Sequence, residues 1–159
     1  MQKEHPGVRK TMIDSKYIIK DLDVSNQKEL FETIGQALME DKIVKDGFIE
    51  ALLKREKEYP TGLPVNPGVA IPHTDGTLVN EDRLVFATLK NPVTFAEMGG
   101  SDENIIDIHI VILMAIKDGK KHLETLRQLI DSIKKEEFIK GLFNSKNSDE
   151  METIIKKFL

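Results

Sequence analysis

His73 has the sequence context of a residue that could do chemistry. It follows the apolar segment 69–71 and Pro72, and it precedes the turn-forming pair Asp75-Gly76. Proline has no backbone N–H with which to continue a strand, so a strand should end just before His73. A neutral imidazole has a pKa of about 6.5 and keeps a nucleophilic nitrogen near neutral pH. From these residues alone, a nucleophile and a structural histidine at a strand end are equally compatible readings.

Three other histidines and one arginine could support or compete with His73. His5 lies in a polar N-terminal stretch, and His109 lies in a long apolar segment that is typical of a hydrogen-bonded core histidine. His122 follows two lysines where a helix should begin, and the N–H groups of a helix N-terminus favour an anion. Arg55 lies near the end of a predicted helix. A phosphoryl-accepting histidine would need such groups around the phosphoryl oxygens, although a solvated charge cluster explains the same residues.

Helices on both sides of a group of strands must position these residues. Apolar spacing predicts one helix from the capping residues 23–26 to about residue 41, and another from a cap at Asp46 to Pro60. The Pro- and Gly-rich segment 60–68 should be an irregular loop. Strands are predicted at 69–71, 84–89, 93–95 and 105–116, and helices from about 120 with Leu123, Leu126, Ile130 and Ile133 on one face, then at 136–143 and 149–159. This order indicates an α/β sandwich.

Length and composition limit the protein's class. The 159 residues, of which 40% are hydrophobic, suit one domain at 15–159 behind a flexible tail at 1–14. A formal net charge of -4 argues against nucleic acid or an anionic membrane as a partner. The absence of cysteine excludes disulfides and thiolate metal sites. Without a signal peptide or a membrane span in the sequence, we expect a cytoplasmic protein.

Three motifs together resemble the fructose, mannitol and galactitol class of enzyme IIA proteins (type 2) of the sugar phosphotransferase system. They are Arg55-Glu-Lys-Glu-Tyr-Pro-Thr-Gly-Leu63, Gly68-Val-Ala-Ile-Pro-His73 and His122-Leu-Glu-Thr-Leu126. Their order and spacing also match, and the resemblance covers the chain from about Ser15 onward. It implies a mixed β-sheet of about five strands sandwiched by helices.

The resemblance also implies a phosphotransferase cycle and a set of site residues. Phospho-HPr would donate to His73, and His73 would donate to a sugar-specific enzyme IIB, with the membrane component IIC reached only indirectly and no cofactor or metal involved. Arg55 matches the arginine beside the phosphorylated histidine, and His122 matches the second active-site histidine. Thr61 matches a threonine with a lesser, positioning role. Asp75 is a further candidate for support, although its Asp-Gly pair is also typical of a simple turn.

The sugar and the biological role are less constrained. Glu-Tyr-Pro-Thr-Gly-Leu is similar to galactitol-type proteins, whereas His122-Leu is more typical of the fructose and mannitol types. Met98 and Leu63 are candidates for the docking face. One alternative is a regulatory, nitrogen-type IIA protein with the same phosphohistidine. Another is a metallohydrolase built on His73, His109, His122 and Asp75, although the sequence lacks a close histidine pair at ligand spacing.

Overall fold

A mixed five-stranded sheet lies at the centre of residues 7–100 and 103–159, the part of the chain that the computed structural model describes. Its strands are β1 (Ile13–Leu22), β2 (Gly62–Leu63), β3 (Gly68–Ala70), β4 (Arg83–Ala96) and β5 (Ile105–Ala115). They lie side by side in the order β1-β4-β5-β3-β2. The β1–β4 and β5–β3 pairs are parallel, and the β4–β5 and β3–β2 pairs are antiparallel.

Helices cover both faces of this sheet. On one face are α1 (Gln27–Glu40) and α2 (Phe48–Glu58), and on the other are α3 (Gly119–Ile133), α4 (Glu136–Asn144) and α5 (Ser148–Phe158). The predicted α/β sandwich with a mixed sheet of about five strands is confirmed. None of the helices in the described ranges has the length and apolar character that crossing a membrane requires.

Strand β5 passes through the middle of the sandwich, and its side chains alternate between two apolar cores. Ile110 and Ile112 pack towards α3–α5, whereas Val111 and Leu113 pack towards α1 and α2, all fully buried. Burying such a side chain stabilises the fold by roughly 1.5–3 kcal/mol relative to leaving it in water. A strand covered on both faces needs a continuous apolar run, which explains why this strand was recognisable in the sequence.

The ends of α2 determine where Arg55 lies. Gly47, with a φ of 92°, precedes the helix, and no side chain caps it, so the predicted capping role of Asp46 is wrong. A left-handed residue at this point is easiest for glycine. At the other end Tyr59 donates its backbone N–H to the carbonyl of Arg55 at 2.7 Å, and Pro60 cannot continue the helix. Arg55 therefore lies in the last turn, as predicted.

Several strand predictions need correction. β1 was not predicted, because charged residues interrupt its apolar ones and only part of it is buried. The predicted loop 60–68 contains the two-residue strand β2. Segments 84–89 and 93–95 form the single strand β4, whose pairing with β5 shifts between Thr88 and Val93. A break in the ladder within one strand looks like two strands in the sequence pattern.

The boundary predicted between a tail at 1–14 and the domain does not match the structure. Residues 1–6, which include His5, lie outside the described residues. Val8 and Met12 are buried in the core on the α3–α5 face, and the backbone N–H of Val8 donates to Oε1 of Gln128 at 2.8 Å. Because these residues pack onto α3 and the sheet, the folded part of the chain begins before the predicted boundary at residue 15.

Candidate functional site

The C-terminal ends of the parallel strands β3 and β5 lie on the same side of the sheet, and His73 lies there. After β3 the chain continues along β5, where the backbone N–H of Met114 donates to the carbonyl of Pro72 at 3.0 Å. His73 then forms an isolated parallel bridge with Met114. The histidine backbone is therefore attached to the end of the central strand, although it lies in a loop. A rigid scaffold of this kind is typical of functional loops.

The His73 ring is held by its own backbone. Its Nδ1 lies 2.7 Å from the carbonyl oxygen of Ile71. A carbonyl oxygen can only accept, so Nδ1 carries the hydrogen and donates it, and Nε2 of the neutral ring keeps an unprotonated lone pair. Burial lowers the pKa of His73, with a smaller effect of the Arg55 charge in the same direction. The ring is therefore neutral at pH 7, as a nucleophile requires.

His122 enters the site from the first turn of α3. Asp118 caps this helix by accepting the backbone N–H of Lys121 at 2.9 Å. The His122 ring meets the His73 ring edge to face, with 4.8 Å between the centroids and 66° between the planes. Burial, the neighbouring His73 and the Arg55 charge lower the pKa of His122 to about 4. Both rings are therefore neutral near pH 7.

Arg55 reaches the same site from the last turn of α2. Its guanidinium carbon lies 4.3 Å from the centre of the Tyr59 ring. The positive charge of Arg55 contributes to the lowered pKa of both His73 and His122, after the larger effect of burial. Of the three residues predicted to meet, His73 and His122 are in contact, and Arg55 acts on both through its charge. Their joint role at a phosphoryl site stays a prediction.

Thr61 is buried and bonded to Glu56, a residue to which sequence reasoning assigned no role. The backbone N–H of Thr61 donates to Oε2 of Glu56 at 2.6 Å, and its hydroxyl donates to Oε1 at 2.7 Å. Burial raises the pKa of Glu56 to about 7, although both hydrogen bonds act in the opposite direction. This contact joins α2 to the start of β2. The predicted positioning role of Thr61 at the phosphoryl site stays a prediction.

Asp75 forms a turn beside His73. One carboxylate oxygen accepts the backbone N–H of Thr77 at 3.0 Å and also accepts the Thr77 hydroxyl, which caps the short 3-10 turn Gly76–Leu78. These bonds lower the pKa of Asp75. The side chain is exposed and forms the Asp-Gly turn that the sequence allowed as an alternative. Its predicted support of the phosphoryl group remains a prediction.

The His73 loop and the loop before α3 touch through their backbones. A Cβ atom built on Gly76 would lie 1.9 Å from the carbonyl oxygen of Lys117, so only glycine fits here. Asp82 supports the second loop, because its Oδ1 accepts the backbone N–H of Lys117 at 2.8 Å and its Oδ2 lies 3.6 Å from Nζ of Lys121. No local pattern identified Asp82, whereas the Asp118 cap was recognisable as an aspartate before a helix start.

Metal binding was the basis of the metallohydrolase alternative. Across residues 7–100 and 103–159, no group of three or more His, Cys, Asp or Glu side chains is arranged to hold a metal ion. The ring of His109 contacts a different residue, since it packs edge to face on the ring of Phe143 with 5.6 Å between the centroids.

The two site histidines should titrate abnormally in the unphosphorylated protein. We expect proton NMR to give a midpoint of about 4 for His122 and a midpoint below the usual histidine range for His73, because burial opposes the charged rings. Signals are assigned by comparing His73→Ala and His122→Ala with the wild type. Ordinary midpoints for both rings would contradict the buried, neutral pair.

Comparison with known proteins identifies the family that the three sequence motifs resemble. A family model described as "Phosphoenolpyruvate-dependent sugar phosphotransferase system, EIIA 2" matches residues 11–158. The galactitol-specific EIIA component of Escherichia coli is 23% identical over 127 residues, which cover 79% of this chain and 83% of that protein. The mannitol-specific enzyme IIA component of Staphylococcus aureus is 28% identical over 141 residues, which cover 88% and 92%.

Solved structures share the fold. Nitrogen regulatory protein IIA-Ntr from Neisseria meningitidis has a TM-score of 0.75 at 24% identity, covering 91% of this chain and 96% of that one. Mannitol enzyme IIA from Escherichia coli, solved in complex with phosphorylated mannitol enzyme IIB, has a TM-score of 0.72 at 22% identity, covering 89% and 95%. The resemblance stated from the three sequence motifs is confirmed.

Proposed function

Because the chain belongs to the EIIA type 2 family of the phosphoenolpyruvate-dependent sugar phosphotransferase system, we propose that it carries the phosphoryl group on Nε2 of His73. The group comes from phospho-HPr and goes to a sugar-specific enzyme IIB of the galactitol type. One observation carries this proposal: the His73 ring donates through Nδ1 to its own backbone and is neutral, so its Nε2 lone pair is available.

The transfer step follows from this geometry. The Nε2 lone pair attacks the phosphorus atom, the new phosphorus–nitrogen bond forms, and the bond between phosphorus and the donor atom of HPr breaks with its electron pair returning to HPr. The negative charge on the phosphoryl oxygens needs nearby donors and cations. Arg55 supplies the cation, and His122 can donate a ring N–H while remaining neutral. The reverse sequence on enzyme IIB returns His73 to its starting state.

The choice of acceptor rests on the similar proteins and on the surface around the site. Galactitol-specific components are among the relatives, and the mannitol enzyme IIA of similar fold forms a complex with its enzyme IIB. Leu123, next to His122, is 48% exposed although it is a large apolar residue. The partly buried Leu63 and Met98 are the other apolar residues that we assign to docking of HPr and enzyme IIB in the cytoplasm. The membrane component IIC is reached only through enzyme IIB.

A regulatory role is the second candidate, because a nitrogen regulatory protein shares the fold. The same phosphohistidine would then control binding to a partner protein. Phosphoryl flow from this protein to enzyme IIB and a sugar supports transport. Phosphorylation-dependent binding to a regulatory protein, without flow to any enzyme IIB in a panel, supports regulation.

Phosphoryl transfer itself tests the proposal. Incubation with phosphoenolpyruvate, enzyme I and HPr should give one acid-labile, alkali-stable phosphoryl group per chain. In protein with ¹⁵N-labelled histidine, phosphorylation should shift the Nε2 signal of one histidine. Phosphorylation at Nδ1, which already donates a hydrogen bond to the carbonyl of Ile71, would contradict the assignment of the phosphoryl group to Nε2.

Replacing His122 with Ala should slow transfer without unfolding the protein. The fold should tolerate the change because the ring is only half buried on the first turn of α3. Transfer should slow because the variant loses a hydrogen bond to the charged phosphoryl group. Such a bond is typically worth about 1.5–3 kcal/mol, or about 10- to 150-fold in rate. His122→Gln keeps an N–H donor and should recover part of the rate. Quench-flow transfer from phospho-HPr measures both variants, with circular dichroism as the folding control. An unchanged rate in His122→Ala would exclude this role.

A further inference from the structure

The Arg55 side chain has an unusual environment for a cation beside a proposed phosphoryl site. In the described parts of the chain its side chain makes no hydrogen bond or ion pair, and its guanidinium carbon lies over the Tyr59 ring, 4.3 Å from the ring centre. We propose that Tyr59 is a positioning residue that holds Arg55 beside His73 and His122 and leaves its charge available to the phosphoryl oxygens. This inference rests on the proposed function of His73.

The chain restricts Tyr59 to this position. It is the C-cap of α2, with φ −134° and ψ 83°, and its backbone N–H donates to the carbonyl of Arg55 at 2.7 Å. Pro60 follows, and a residue before proline cannot adopt helical dihedrals easily. Tyr59 therefore leaves the helix one turn after Arg55, and its ring folds over the guanidinium.

Two carboxylates related to Arg55, one by its place in the chain and one by the effect of the Arg55 charge, are engaged by other partners. Glu56, next to Arg55 in the chain, accepts both polar groups of Thr61 and is buried. Asp75, whose pKa is also lowered by the Arg55 charge, accepts the N–H and hydroxyl of Thr77. A carboxylate bonded to Arg55 would neutralise it and would have to be displaced by the phosphoryl group. An aromatic face attracts the guanidinium through its quadrupole and leaves the positive charge uncompensated.

The cation–π contact between Tyr59 and Arg55 is weak enough for Arg55 to leave it when a phosphoryl group is present. Tyr59 is 59% exposed, and cation–π contacts at exposed sites are weak. An arginine side chain free in solvent samples many rotamers, so even a weak contact increases the fraction of molecules with Arg55 near the site. A charge-assisted hydrogen bond to a phosphoryl oxygen is stronger, so Arg55 can leave Tyr59 when His73 is phosphorylated.

Two variants of Tyr59 test this role. Tyr59→Leu removes the aromatic face and keeps an apolar side chain, whereas Tyr59→Phe keeps the face and removes the hydroxyl. We expect Tyr59→Leu to slow transfer from phospho-HPr by roughly two- to fivefold and to move the NMR midpoints of His73 and His122 upward, because the Arg55 charge is then farther away on average. Tyr59→Phe should leave both the transfer rate and the two midpoints at wild-type values.

A double-mutant cycle with Arg55→Gln separates this role from direct docking. If Tyr59 acts through Arg55, then Tyr59→Leu should have no further effect on the rate or on the two midpoints in the Arg55→Gln protein. An equal slowing in both backgrounds would overturn the proposal and show that Tyr59 contacts the partner itself. Unchanged midpoints in folded Tyr59→Leu protein would also overturn it. The titrations use unphosphorylated protein, so they remain decisive even if wild-type protein accepts no phosphoryl group.

Discussion

His73→Ala protein is expected to accept no phosphoryl group from phospho-HPr. The substitution removes Nε2, and no other histidine has a ring nitrogen held by the strand-end backbone as His73 does among the residues that the structure describes. The half-buried ring leaves only a modest gap, so the fold should persist. Radiolabelling from phosphoenolpyruvate through enzyme I and HPr, followed by mass spectrometry, measures the result.

The matched control is the His122→Ala protein, which should be labelled fully but slowly. The two histidines touch, so a general disturbance of the site would affect both variants alike. Complete loss in one variant and slow labelling in the other separates nucleophile from supporting residue. Full labelling of His73→Ala would place the phosphoryl group elsewhere and remove the basis of the proposed function.

Glu56→Ala should cause the largest loss of stability among the substitutions considered near the site. The carboxylate is 4% exposed and accepts two hydrogen bonds from Thr61. Its removal leaves a buried N–H and a buried hydroxyl without an acceptor, at about 1–3 kcal/mol each, partly offset by loss of the buried charge. We expect a net loss of about 2–4 kcal/mol in the free energy of unfolding measured with urea.

Glu56→Gln provides the control for this prediction. The amide keeps one oxygen that can accept from Thr61 and removes the charge, so its loss should be much smaller than that of Glu56→Ala. Equal losses in the two variants would show that the carboxylate contributes volume rather than hydrogen bonds to Thr61.

The pH dependence of stability should also reveal Glu56. Its pKa is raised from 4.5 to about 7 in the folded protein, so the folded state binds the proton more tightly than the unfolded state. The contribution of Glu56 is therefore greatest below about pH 4.5 and falls as pH rises to about 7, by roughly 3 kcal/mol in total. Beyond pH 7 it should be constant.

His122 acts in the opposite direction over an overlapping range. Its pKa falls from 6.5 to about 4 on folding, so acidification through this range destabilises the folded protein. His73, whose pKa is also lowered, acts in the same direction as His122, so the wild-type curve alone combines opposing effects. The difference in unfolding free energy between wild type and Glu56→Gln, measured from pH 4.5 to 8, isolates the carboxylate. A difference that does not vary with pH would contradict the raised pKa of Glu56.

Residues of the candidate site could be predicted from the sequence only where they belong to a recognisable motif. Pro72 and the strand before it indicated how His73 is presented, and the structure confirms that position. The contact between His73 and His122, and the prediction that Arg55 joins them, followed from family resemblance, because residues far apart in the chain share no spacing rule. Glu56 and Asp82 escaped notice because their partners are fixed by loop geometry, which periodicity does not describe.

Helix α3 shows where apolar spacing alone predicts a helix face only in part. The sequence grouped Leu123, Leu126, Ile130 and Ile133 as the buried face. In the structure Ile133 is buried and Leu126 and Ile130 pack partly buried against the same core, but Leu123 is exposed. The fully buried positions also include Thr125, Leu129 and Ser132. Two small polar residues face the core, so the buried stripe contains fewer apolar residues than the pattern requires. An apolar residue left outside such a stripe is more informative about docking than about folding.

The contact between Gly76 and Lys117 has a consequence for building hybrids of related carriers. The His73 loop and the loop that leads to His122 meet through backbone atoms, with no side chain between them that could adjust its rotamer. A graft that brings in a relative's His73 loop without glycine at position 76 would push directly on the residues before α3. Segments 73–79 and 116–122 should therefore be exchanged together, as a single inherited module.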